Sequence, residues 1–142
     1  MKLVRAAVGL AVALSGIVIA QQVVMATETE DQVVAVAEQW LALADKGDSA
    51  TTWEMAAGYF QRTVSKEQWS QAFSAARGPL GALRSRQLQS KQRTTTLPGV
   101  PDGDYLILQF ATSFEKKQSA IETVTPMREP DGTWKVAGYY IK

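Results

Sequence analysis

LPGVPDGDYLILQFATSF, residues 97–114, sets two prolines and two glycines in front of the most apolar run in the second half of the chain. From Tyr105 onward the apolar side chains alternate with a period of two. Leu106, Leu108, Phe110 and Phe114 fall on one face, and Tyr105, Ile107 and Ala111 on the other, which is the pattern of a β-strand. Both faces carry apolar side chains, so both are expected to be covered. Pro98 and Pro101 cannot donate ladder hydrogen bonds, so pairing must stop before the strand, and Asp102-Gly103 supplies a tight turn. The segment reads as punctuation and not as an anion cradle, because the prolines remove two amide donors and no helix N-terminus follows. Asp102 and Asp104 alone provide too few oxygens for a calcium loop.

Toward the C-terminus, Ala120–Met127 reads as another strand. Trp134, Val136, Ala137, Tyr139, Tyr140 and Ile141 form a last one, entered through the turn Pro130-Asp131-Gly132. Toward the N-terminus, residues 83–93 (LRSRQLQSKQR) are extended but polar, which suits a first strand at a sheet edge. Before them the period is helical. Val33, Ala37, Trp40, Leu41 and Ala44 form one stripe, closed by Lys46-Gly47; Trp53, Ala57, Phe60 and Val64 form a second. Trp69, Phe73 and Ala76 form a third, opened by the capping box Ser65-x-x-Gln68 and ended by Gly78-Pro79. The four tryptophans, at 40, 53, 69 and 134, sit at core spacing. The expected fold class is α+β, with three N-terminal helices packed on a curved four-stranded antiparallel sheet.

The first 26 residues read differently. Lys2 and Arg5 are the only charges before Glu28, and residues 6–20 (AAVGLAVALSGIVIA) form an apolar core with a small-residue exit. A basic start, an apolar core and a small-residue exit make a signal peptide, with cleavage expected after Ala26 and Ala20 as the alternative site. One domain over residues 27–142 follows, in the periplasm or secreted, with no stable membrane span once the leader is removed. Loss of Lys2 and Arg5 takes the net charge from +1 to −1, so global charge favours neither nucleic acid nor an acidic surface as a partner. Between Glu67 and Asp102 all charges are basic, but no aromatic interleaves them, which leaves base stacking unsupported.

With no histidine and no cysteine, the chain has no Ser-His-Asp triad, no thiolate nucleophile and no zinc site of the usual nitrogen and sulfur ligands. Glycine-rich phosphate loops are also missing, and no cofactor or metal is expected. Carboxylate and tyrosine chemistry remain. Arg86 and Glu122 each interrupt a strand with partly apolar alternate neighbours, so they are expected to face inward and to meet as a pair that fixes strand register. The functional alternative has Arg86 gripping a ligand carboxylate or phosphate. Tyr59, Tyr105, Tyr139 and Tyr140 add hydroxyls to the candidate pocket.

The ordered pieces WLALADKGD (40–48), TTWEMAAGYFQRTVSKEQW (51–69), ARGPLGALRSRQL (76–88), LPGVPDGDY (97–105), IETV (121–124) and DGTWKVAGYYI (131–141) resemble the bacterial family named domain of unknown function 4019. The resemblance implies a small exported protein with no assigned activity and no catalytic motif to carry over. The layout is similar to the nuclear transport factor 2-like cone fold, or to a cystatin-like arrangement, and a fold does not name a function. Three functions are compatible with the residues. One is a non-enzymatic module binding a small molecule, peptide or partner protein. Another is an enzyme with Glu122 or Asp104 as base. The third is a self-associating structural protein whose Tyr105, Ile107 and Ala111 face meets its copy in a homodimer.

Overall fold

The computed structural model describes the backbone of residues 15–142 and the side chains from Glu30 onward. The expected leader therefore falls on residues 1–14, which lie outside the described residues, and on 15–26, of which only the backbone is described. The chain divides into two compact units, Met1–Glu30 and Asp31–Lys142. No helix of the described residues is long and apolar enough to cross a membrane.

Among the described residues, four α-helices precede four strands: α1 (Ser15–Asp45), α2 (Ser49–Glu54), α3 (Gly58–Thr63) and α4 (Lys66–Arg77), then a 3-10 turn (Gly78–Leu80). β1 (Leu83–Thr94), β2 (Tyr105–Phe114), β3 (Lys117–Arg128) and β4 (Trp134–Ile141) form one open antiparallel meander in sequence order. The helix endings follow local chemistry. At the end of α1, Gly47 takes φ +75°, its amide donates to the Ala44 carbonyl at 3.0 Å, and the Asp48 amide reaches back to the Leu43 carbonyl at 3.1 Å. Those two bonds are the Schellman closure, which a glycine in the left-handed region allows. Ser65 and Gln68 complete the reciprocal capping box at the start of α4.

The second expected helix is two short ones. Its stripe runs through Trp53, Ala57, Phe60 and Val64, yet Ala57 is extended (φ −58°, ψ 147°) and its amide donates to the Val136 carbonyl of β4 at 2.8 Å. The next amide, Gly58, donates to the Glu129 carboxylate at 2.9 Å. Partners on the sheet thus take amide protons that an unbroken helix would have used. Trp53 and Phe60 still pack against the core from their separate helices.

The helices cover one face of the sheet. Leu106, Leu108, Phe110, Val124 and Val136 meet Val33, Ala37, Trp40, Leu41, Ala44, Trp69 and Phe73 in one buried cluster. Trp53 and Trp134 are only partly buried against it. Thr52, completely buried, organises two of the indoles: its carbonyl accepts from Trp40 Nε1 at 2.9 Å and its hydroxyl from Trp69 Nε1 at 3.0 Å. That double bond satisfies both indole donors inside the core, as buried tryptophan requires. The other sheet face is not covered along its length, contrary to the expectation from its apolar residues. Ile107, Ala111 and Ile121 there are half-buried, Tyr140 is 58% exposed, and only Tyr105 and Thr123 are buried. Tyr105 is covered by its own chain, because the loop before β2 folds over the ring so closely that a Cβ at Gly103 would stand 3.3 Å from Tyr105 Cε2.

Candidate functional site

The six candidate pocket residues divide between the two sides of the sheet. Register explains the division: Arg86 lies opposite Thr112, Phe110 opposite Glu122, and Val124 opposite Tyr139, so Arg86, Glu122 and Tyr139 share the helix-covered face. There they form a closed network. Arg86 Nε donates to Glu122 Oε1 at 2.7 Å, while its two terminal nitrogens grip both oxygens of Asp45 at 2.8 Å each. Thr112 Oγ1 also donates to Glu122 Oε1, at 2.7 Å, and the Tyr139 hydroxyl donates to Oε2. Arg77 closes the ring, donating to Asp45 Oδ1 at 3.0 Å and to the Tyr139 oxygen at 3.3 Å, with its NH1 3.9 Å from Glu122 Oε2.

Two arginines and two carboxylates sum to zero charge, and each carboxylate oxygen has a donor. Glu122 is fully buried, and the side chains of Arg77 and Arg86 are 7% and 12% exposed. Burial raises the Asp45 carboxyl, but hydrogen bonds and charge from Arg86, then Arg77, outweigh it and hold the group below the usual carboxylate range. Burial lowers the Arg86 guanidinium, and its bonds to Asp45 and Glu122 reverse this and keep it charged. Burial, then the Glu122 charge and hydrogen bond, push the Tyr139 phenol well up, so it stays protonated as a donor. Arg77 Nε is buried without a hydrogen-bond partner among the described residues; its guanidinium carbon lies 4.8 Å from the centre of the Phe114 ring, a cation–π contact.

Asp45, Arg77 and Thr112 were not among the sequence candidates. The signal for the first two is in the helical stripes, which continue into a charge: Ala37, Leu41, Asp45 and Trp69, Phe73, Arg77 are each spaced by four. A charge on the apolar stripe at the last turn marks an inward ion that needs a partner. Asp104, the other candidate base, is engaged by Arg93 through two bonds of 3.1 and 2.8 Å.

Tyr59 and Tyr105 lie elsewhere. They line a concavity of about 450 Å³ on the sheet face away from the buried core, which Tyr59 reaches from α3, with Leu97, Pro98 and Val100 of the loop, Ile107 and Thr123 of the sheet, and Tyr140. Tyr139 contributes to its wall, but its hydroxyl is spent in the network on the other face. The Tyr59 hydroxyl donates to the Gly99 carbonyl at 3.5 Å and that of Tyr105 to the Pro101 carbonyl, so both phenols hold the loop that roofs the site. Burial, then the neighbouring Tyr59 and Asp102, push the Tyr105 phenol up. Thr123 is 3% exposed and its Oγ1 has no hydrogen-bond partner among the described residues. Among the described residues, no group of three or more acids gathers to hold a metal ion.

The run of residues 97–103 thus both ends the pairing of β1 and builds a wall of the concavity. No curated protein matches the chain. Residues 36–139 match the family described as a protein of unknown function, DUF4019, a match that runs from the later part of α1 into β4 and includes the charge network and every residue of the concavity except Tyr140. The chain belongs to the DUF4019 family.

Proposed function

We propose that the protein is an exported, non-enzymatic module that binds a small molecule in the concavity on the sheet face away from its buried core. The observation that carries this is the concavity itself: about 450 Å³ bounded by Tyr59, Tyr105, Ile107 and Tyr140 under a loop held by two phenols. Sites of a few hundred cubic ångströms with apolar walls and few polar groups are where proteins hold small molecules. Export is supported by Lys2, Arg5 and the apolar run over residues 6–20. Helices preceding a four-stranded open antiparallel meander support a nuclear transport factor 2-like or cystatin-like layout.

An enzyme using Glu122 as base is disfavoured by the same structure. A general base must be within hydrogen-bond reach of a substrate proton, and Glu122 is fully buried, with Arg86, Thr112 and Tyr139 packed against its two oxygens as donors. Self-association has one observation in its favour, the 58% exposure of Tyr140 beside Ile107 and Thr123. Native mass spectrometry of the protein as processed by exporting cells tests the binding reading. A retained small molecule that disappears in Ile107→Asp supports it; retention of the same molecule by that variant places the site elsewhere. Dimer peaks abolished by Tyr140→Asp would favour self-association, and recovery of the unprocessed chain from the cytoplasm would remove the export claim.

A further inference from the structure

We infer that the ligand of this concavity is an uncharged, largely apolar molecule bearing one hydrogen-bonding group that meets Thr123, an inference that rests on the binding reading above. Three features of the wall lead to it. Among the described residues no charged side chain lines the concavity, so a charged ligand would lose its water there without gaining an ion partner. The phenol groups of Tyr59, Tyr105 and Tyr139 are already committed as donors, to Gly99, Pro101 and Glu122 respectively. Those three residues therefore offer ring surface in preference to polar recognition. One polar side-chain atom in the wall is both buried and without a partner among the described residues: the Oγ1 of Thr123, on a residue 3% exposed in the middle of β3. A buried hydroxyl without a partner is costly to the folded chain, and a ligand N–H, hydroxyl or carbonyl placed against it removes that cost.

The register makes Thr123 the centre of the floor, since it lies opposite Gln109 of β2 and Tyr140 of β4. Ile107, Val100 and Leu97 supply aliphatic surface around it, and Tyr140 is exposed at the rim. A ligand of this kind has an apolar body against the rings and a single polar atom at the Thr123 hydroxyl. The charge network on the opposite face takes no part, because both of its arginines are already ion-paired with Asp45 and Glu122.

Two fluorescent dyes with the same ring system test this on the intact protein: N-phenyl-1-naphthylamine, which is uncharged with one N–H, and 1-anilinonaphthalene-8-sulfonate, its anionic relative. The uncharged dye is expected to bind saturably at one per chain and at least tenfold tighter than the sulfonate. Ile107→Asp is expected to weaken it at least tenfold, and Tyr140→Ala, at an exposed rim position where folding is not at stake, severalfold. Thr123→Val, which keeps the shape and removes the hydroxyl, should weaken the uncharged dye severalfold while leaving the melting temperature unchanged or higher. Equal or tighter binding of the sulfonate overturns the neutral-ligand inference and leaves the binding reading standing. Unchanged affinity in Thr123→Val removes the role assigned to that hydroxyl. Failure of both dyes to bind overturns the binding reading itself, and with it the inference.

Discussion

Replacing Glu122 by alanine converts a neutral buried network into one with a surplus positive charge. Arg77 and Arg86 would then face Asp45 alone, and Thr112 and Tyr139 would lose the acceptor for their hydroxyls. Removing one partner of a buried ion pair costs about 3–5 kcal/mol, because the other charge stays desolvated. Glu122 is fully buried and Arg86 nearly so, so solvent screening does little to reduce this. For a domain of roughly this size, about 4 °C of melting temperature corresponds to each kcal/mol, so a loss of about 12–20 °C is expected. Arg86→Ala leaves the opposite surplus, Asp45 and Glu122 against Arg77, and should cost a similar amount. In the double variant Arg77 and Asp45 remain as a balanced pair at 3.0 Å, so its destabilisation should fall short of the sum of the single ones by about 1–3 kcal/mol. Urea denaturation of the four proteins, analysed as a double-mutant cycle, measures this directly. Single variants within about 0.5 kcal/mol of the parent, or strictly additive effects, would refute the argument that the network is closed and buried.

The remaining predictions use the same network and the breaks between helices. Because the Asp45 carboxyl is held below its unfolded value of 3.8, its contribution is complete above that pH and is lost as pH falls through the lower folded value; acid denaturation of Asp45→Asn should therefore be shallower below about pH 4. The Tyr139 phenol has the opposite sign, raised above its unfolded value of 10.0, so its share of stability is present below about pH 10 and is lost as pH rises. Tyr139→Phe is expected to be less stable at neutral pH, to lose stability less steeply above pH 10, and to lack one late-titrating phenol in an absorbance titration. Glu129→Ala removes the acceptor for the Gly58 amide at the start of α3 and should cost about 1 kcal/mol, with faster hydrogen exchange at Gly58 as its local signature.

The alternation of Leu106, Leu108, Phe110 and Phe114 was enough to place β2, and the helical stripes with their glycine and serine ends were enough to place α4 and the end of α1. These are local matters: a period of two or of three to four, a capping hydroxyl, a glycine with positive φ. The inward position of Arg86 and Glu122 was also legible, because a charge among alternating apolar neighbours has to turn toward the covered side. What followed from no local pattern was the break at Ala57, where the deciding hydrogen bonds come from Val136 and Glu129, more than 70 residues away in sequence. Nor could the candidate pocket be assembled from residue types, since Tyr105 and Tyr139 were both apparent as tyrosines of strands.

Composition and periodicity by themselves determined the α+β class, the order of helices before a meander, and the exclusion of triad and thiolate chemistry, because these depend only on which residues are present and how they repeat. Only the tertiary structure decided that one set of candidate residues is a largely buried charge network and the other a tyrosine-walled concavity. The physical reason is that a strand's two faces differ in nothing but what packs on them. Register put Glu122 under the helices and Thr123, one residue on, on the side they leave open.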